Sequence, residues 1–118
     1  MRIWDISPDR LCDKHLLAEH RELHAIWIII TEGRVGYSKH PETTRWRGKL
    51  RALFLRHELL MKEFLRRDFE HKSPLDPVLA KGGSRQDVYI DSPRAQIRIL
   101  RDKKCECRVQ SSMKERAR

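Results

Sequence analysis

Apolar residues recur in the first third of the chain at Leu16, Leu23, Ile26, Trp27 and Ile30. On a helical wheel they share one stripe about 100° wide, the mark of a helix with one face on a core. Ser7 suits an N-cap, Pro8 the first helical position, and Gly33 the residue just past the end. The pattern predicts a helix over 8–31, preceded by an extended lead-in over 1–6. A loop over 34–43 holds Gly36 and Pro41. A second helix is predicted over 44–67, with Trp46, Leu50, Leu53, Phe54, Leu60, Met61 and Phe64 on its apolar arc. Arg45, Arg51, Arg56, Lys62 and Arg66 fall off that arc, and His57 falls in the middle of it, where a core histidine is expected. Ser73-Pro74-Leu75-Asp76 reads as the start of a short helix ending at Gly82-Gly83. Ser92-Pro93 opens another, carrying Ile97, Ile99 and Leu100 to about Asp102. No segment reads as part of a sheet. The expected fold is all-α: a single compact domain of three main helices with long loops over 1–108, then a basic, mobile tail over 109–118.

Composition narrows the partner. A chain of 118 residues with 39% hydrophobic content is a folded domain, and its net charge of +9 favours an anionic partner, most commonly nucleic acid. Three cysteines, Cys12, Cys105 and Cys107, do not make a secreted disulfide framework. Cys105 and Cys107 form a C-x-C pair, and with no C-x-x-C spacing in the chain neither a metal site nor any cofactor is expected. The start carries no signal-peptide pattern, and the longest apolar run, 25–30, is too short to span a bilayer. The expected location is cytoplasmic, with the protein on the nucleoid when bound to DNA.

The first helix has a second strip worth attention. The wheel sets Lys14, Ala18, Arg21, Glu22 and Ala25 beside one another, with His15 next to Glu22. Small residues at Ala18 and Ala25 would let another molecule approach closely, with one carboxylate and several cations alongside. The same strip also describes an ordinary amphipathic helix whose Glu22 pairs with a nearby lysine or arginine.

The string L-x-D-K-H-L-L-A-E-H-R-E-L, from Leu11 to Leu23, resembles the first helix of the pyrimidine dimer DNA glycosylases, the phage-type endonuclease V family. H-P-E-T-T-R-W-R-G-K-L-R-A-L-F-L-R-H-E-L-L and the following L-R-R-D-F-E-H-K are similar to the family's second helix and the turn after it. The resemblance covers residues 1–72 and fades beyond Ser73. It implies a DNA repair glycosylase with AP lyase activity on damaged double-stranded DNA, carrying a pyrimidine dimer or an abasic site. In the family, the N-terminal α-amine forms a Schiff base with the sugar C1′, and a glutamate of the A-E-x-R-E element assists.

Carried over, that glutamate is Glu22, its neighbour is Arg21, His15 matches a histidine of the same helix, and Arg2 matches a basic residue beside the nucleophile. The nucleophile falls on Met1, which bulky Arg2 should protect from removal and which stands where the family's processed first residue would. An α-amine suits the task, because it titrates near about 7.7–8.0 where a lysine titrates near about 10.4. The expected DNA-binding set is Arg2, Lys14, His15, Arg21, Arg45, Arg47 and Lys49, on a monomer that uses no metal or cofactor.

Two departures stand out. The family arginine four residues beyond Arg21 is Ala25 here, and the aromatic C-terminal segment of the family has no counterpart. The alternatives are a non-catalytic basic nucleic-acid-binding module on the same fold, a metal-dependent nuclease using His15, His20 or His24, and a protein-interaction role through Leu55 and Leu59.

Overall fold

The computed structural model describes residues 1–70, 73–103 and 105–109. Within them the chain forms four α-helices: α1 (Asp13–Glu32), α2 (Pro41–Thr44), α3 (Leu50–Arg66) and α4 (Pro93–Asp102). Two single 3₁₀ turns, Pro8–Arg10 and Pro77–Leu79, complete the regular structure. No strand forms among the described residues, and one isolated bridge joins Lys49 to Gly82. The fold is all-α, in one compact globule.

Helix α1 follows the apolar stripe. Leu16, Leu23 and Ile26 are completely buried, and Gly33 in the left-handed conformation closes the helix with its N–H on the Ile29 carbonyl. Its start differs from the expectation. Ser7-Pro8 opens only the first 3₁₀ turn, after which Leu11 turns extended and Cys12 becomes the N-cap of α1. The reason is packing. Leu11 is buried, and Arg67 takes the Leu11 carbonyl at 2.6 Å and the Pro8 carbonyl at 3.2 Å, so those acceptors serve α3 rather than a continuous helix.

The second predicted helix begins six residues late, at Leu50, and α2 forms instead at the end of the expected loop. Gly48 adopts φ +75°, which ends the turns following α2 and lets α3 begin at Leu50. Lys49 gives α3 no side-chain cap, and the loop over 81–83 supplies acceptors instead. Arg51 N–H donates to the Lys81 carbonyl at 2.9 Å and Ala52 N–H to the Gly83 carbonyl at 3.0 Å. Gly82 makes that approach possible, since a Cβ there would lie 2.2 Å from the Gly48 carbonyl oxygen. The helix expected to start at Ser73 is also only a 3₁₀ turn. Asp76 caps it by accepting from Val78 N–H at 3.0 Å.

Helix α4 matches its reading, with Ser92 capping through Ala95 N–H and Leu100 driven into the core. Helices α1 and α3 pack against each other as the centre of the fold. His57 is fully buried between them, as expected for a core histidine, with Nε2 3.2 Å from His24 Nε2. Val109, at the head of the expected tail, is buried, and the remainder of that tail, 110–118, lies outside the described residues.

Candidate active site

Chain termini usually fray unless tied down. Here residues 2–6 are each fastened to a different part of the fold. Arg2 pairs with Asp91 at 3.0 Å, and its guanidinium lies 5.0 Å from the centre of the Trp4 ring. The Ile3 carbonyl accepts from Arg45 at 3.0 Å, and Trp4 N–H donates to Glu19 at 3.2 Å. Asp5 N–H donates to Gln96 Oε1 at 2.7 Å while the Gln96 amide returns a bond to the Asp5 carboxylate at 2.9 Å. The Ile6 carbonyl accepts from Arg56 at 2.8 Å. Ile3, Trp4 and Ile6 are buried, so apolar packing and polar ties hold the same segment.

This anchored segment brings Met1 to a cleft of about 290 Å³, which Met1 lines together with Arg2, Trp4, His15, Ala18 and Glu22. Helix α1 supplies the last three from one face, and α4 contributes Ile99 while Lys103 follows just beyond it. Five of the positions that the sequence brings forward therefore meet in one place: Met1, Arg2, His15, Ala18 and Glu22. Ala25 does not join them and lines a separate shallow hollow with Ile28 and Tyr37.

The two carboxylates of the A-E-x-R-E element have different surroundings. Glu19 is completely buried, accepting from Arg56 at 2.6 and 3.0 Å as well as from Trp4 N–H. Burial pushes its pKa up, and the Arg56 charge and hydrogen bonds oppose that rise. Glu22 is half-buried on the cleft, with no hydrogen-bond partner for its side chain among the described residues. Both glutamates border the cleft, but Glu19 is committed to Arg56 and Trp4, whereas the Glu22 side chain is left for a ligand.

The expected DNA-binding residues separate in the same way. Arg21 and Lys14 are exposed on α1, and Lys14 borders a neighbouring cavity of about 580 Å³ that shares His15 and Lys103 with the cleft. Arg47 is exposed, with one bond to the Ser38 carbonyl, and Lys49 is held by Gln86 at 2.9 Å and Asp87 at 3.2 Å. That lysine keeps the Asp87 carboxyl below its ordinary pKa. Arg45 is placed differently from the other expected DNA-binding residues. Its side chain is only 4% exposed and is committed to Glu42 at 2.6 Å, to Asp5 at 2.9 Å, and to the Ile3 and Val88 carbonyls. A cation so enclosed organises the lead-in, and only its edge borders the surface hollow that Arg47 and Lys49 also line.

Glu19, Arg56, Asp5 and Gln96, which hold the site, were not among the expected site residues. Glu19 stands in the quoted A-E-x-R-E string, so a signal for it existed, whereas nothing in the local pattern marks Gln96 or Lys103. Two groups could hold a metal ion among the described residues: Cys12, His15, Cys105 and Cys107, and separately His20, His24 and His57. The cysteine spacing gave no expectation of the first, because it is the fold that assembles it.

A family model described as pyrimidine dimer DNA glycosylase matches residues 1–77. The chain belongs to the pyrimidine dimer DNA glycosylase family. Searches of curated proteins and of solved structures return no match. Membership in this glycosylase family carries a general role in DNA repair, with DNA as the substrate. The matched span contains Met1, Arg2, His15, Glu22 and helices α1 to α3, while α4 and the residues it adds to the cleft lie beyond it. No helix among the described residues is long and apolar enough to cross a membrane.

Proposed function

We propose that this glycosylase acts as a monomer on damaged double-stranded DNA, at a pyrimidine dimer or an abasic site. In this reading it couples base removal to AP lyase cleavage through a Schiff base at the α-amine of Met1. The observation that carries the reading is the anchored N-terminus. A segment tied at each of residues 2–6 sets Met1 on the cleft that Glu22 also lines. Fixing a nucleophile beside its partner removes much of the entropic part of a barrier.

The neutral amine attacks C1′ of the damaged nucleotide, and the C1′–N bond to the base breaks, the base leaving with a proton. Carboxylate Glu22 stabilises the positive charge that develops on the sugar. Opening of the sugar ring gives the imine. Loss of a C2′ proton to a base, the role assigned to Glu22, expels the 3′ phosphate by β-elimination. Hydrolysis of the imine then frees Met1. Arg2, Lys14, His15, Arg21, Arg47 and Lys49 hold the phosphates. Arg45 acts beneath them as framework. Reaching C1′ in a duplex requires the nucleotide to be extruded or the DNA to bend, and Ala18 leaves room for the sugar beside α1.

Single-turnover cleavage of duplex DNA with one abasic site tests the role of the carboxylate. Glu22→Gln should bind with unchanged affinity and cleave about 10²–10⁴-fold more slowly. Cleavage at the wild-type rate would remove Glu22 from the mechanism. Salt-dependent binding by a wild-type protein that never cuts would favour the non-catalytic binding module.

A further inference from the structure

Beside the cleft, the fold gathers three thiols and an imidazole from two ends of the chain that are far apart in the sequence. Cys12 caps the start of α1, His15 follows one turn later, and Cys105 and Cys107 come from the segment after α4. Their four potential ligand atoms all lie within 4.8 Å of one another. His15 Nδ1 is 3.1 Å from Cys12 Sγ and 3.3 Å from Cys107 Sγ. We propose that Cys12, His15, Cys105 and Cys107 form a structural zinc site that fastens the C-terminal segment to the start of α1 and fixes the His15 wall of the cleft.

The distances suit a single ion. Zinc bonds of about 2.3 Å to sulfur and 2.0–2.1 Å to nitrogen, at tetrahedral angles, set ligand atoms about 3.6–3.8 Å apart. The observed S–N separations, 3.1 and 3.3 Å, are shorter than the lower figure by about 0.5 and 0.3 Å, a gap that a small outward shift of the side chains closes as an ion enters. A set of three thiolates and one imidazole is a zinc set, and with all four positions filled by protein the site is closed and structural. A disulfide would employ two of the thiols and leave the third, with the histidine nitrogen, unexplained.

The surroundings fit a bound thiolate cluster. Cys12 N–H donates to Cys107 Sγ at 3.1 Å. Three thiolates around a dication leave one net negative charge, and Lys14 and Lys103 line the same cavity. The segment is also docked without any metal: Arg10 and Arg108 exchange two hydrogen bonds, Arg108 N–H to the Arg10 carbonyl at 2.6 Å and Arg10 Nε to the Arg108 carbonyl at 2.9 Å. Binding is written Zn²⁺ plus three thiols and one neutral imidazole, giving the four-coordinate complex and three released protons.

The full chain, purified from zinc-supplemented cells, should carry one zinc ion. Replacing zinc with Co²⁺ should give a thiolate-to-cobalt charge-transfer band and the strong visible absorption of a tetrahedral centre. In C105S/C107S the zinc content should fall to below about a tenth of the wild-type value. Chelation should lower Tm in the wild type and leave the variant unchanged. If that variant fails to fold, the Co²⁺ spectrum of the wild type still decides the question. Three results would overturn the proposal: a wild-type protein without zinc and without the cobalt–thiolate band, zinc fully retained in a folded C105S/C107S on the histidines His20, His24 and His57, or a disulfide among these cysteines in freshly isolated protein.

Discussion

Arg56 of α3 holds Glu19 of α1 in a two-pronged ion pair, Nε to Oε2 at 2.6 Å and Nη2 to Oε1 at 3.0 Å, with the carboxylate sealed from solvent. The same arginine takes the Ile6 carbonyl and the same glutamate takes Trp4 N–H. The pair thus joins the two central helices and grips the lead-in between them. Replacing one partner leaves a buried charge unmatched, so Arg56→Met should cost about 3–5 kcal/mol of stability. Urea denaturation measures it. A loss of less than about 1 kcal/mol, the size of an exposed pair, would show that the charges are not enclosed as described.

Gln96 gives a sharper test of positioning. It exchanges two hydrogen bonds with Asp5, through the backbone N–H and the carboxylate, and it is not among the residues that line the cleft. Gln96→Ala should loosen the segment carrying Met1. A shift of about 1 Å at a reacting group can cost roughly 10²-fold, so single-turnover cleavage should slow by about 10–100-fold while DNA affinity stays within about twofold. Equal losses in rate and affinity would point to general unfolding of the site instead.

Arg45 and Arg47 are two residues apart and should behave oppositely. Arg47 is exposed, and Arg47→Ala should reduce the slope of log affinity against log salt by about 1 with little change in stability. Arg45→Ala strips Glu42 and Asp5 of their cation and should destabilise the fold by about 3–5 kcal/mol. Equilibrium binding at several salt concentrations, combined with thermal melts, separates the two effects.

Glu63 makes stability depend on pH. Hydrogen bonds from Arg66, and next from Arg67 at 2.6 Å, hold its carboxyl below the usual range against the opposing effect of burial. A lowered folded-state pKa means that the folded protein binds the proton less readily than the unfolded chain, whose glutamate titrates near about 4.3. The stabilisation is present in full above about pH 5 and disappears as pH falls through the folded-state value. Glu63→Gln should therefore be less stable than wild type by about 1.5–3 kcal/mol at neutral pH, and the gap should close in acid. Denaturation of both proteins across that range checks it, and a gap independent of pH would contradict the assignment.

The sequence made some of these features legible and concealed others for identifiable reasons. The period of Leu16, Leu23 and Ile26 revealed α1, and Gly33 its end, because helix packing and left-handed caps leave local marks. The start of α1 was hidden, because Ser7-Pro8 is a valid helix opening and only the distant Arg67 diverts the carbonyls of Pro8 and Leu11. Gly48 lay inside an otherwise continuous apolar arc, so the late start of the second helix depended on its contact with Gly82, a partner from another part of the chain. Arg45 looked like a surface cation on the wheel, since its position gives no hint that Asp5 and Glu42 enclose it. The wheel already set His15 beside Glu22, the resemblance added Met1 and Arg2, and the structure places all of them around one cleft. Cys12 and Cys107 are 95 residues apart, a separation that no spacing rule reads as a ligand set.

The central claim is imine chemistry at the α-amine of Met1, and borohydride trapping tests it most directly. Protein whose intact mass shows a free Met1 terminus would be incubated with borohydride on duplex DNA holding a pyrimidine dimer or an abasic site, beside a sample acetylated at the α-amine. The expected result is a stable protein–DNA cross-link that maps to Met1 and is absent from the acetylated sample, the better of the two substrates identifying the lesion. Binding to both DNAs with no cross-link on either, or a cross-link that survives acetylation and maps to a lysine, would contradict it.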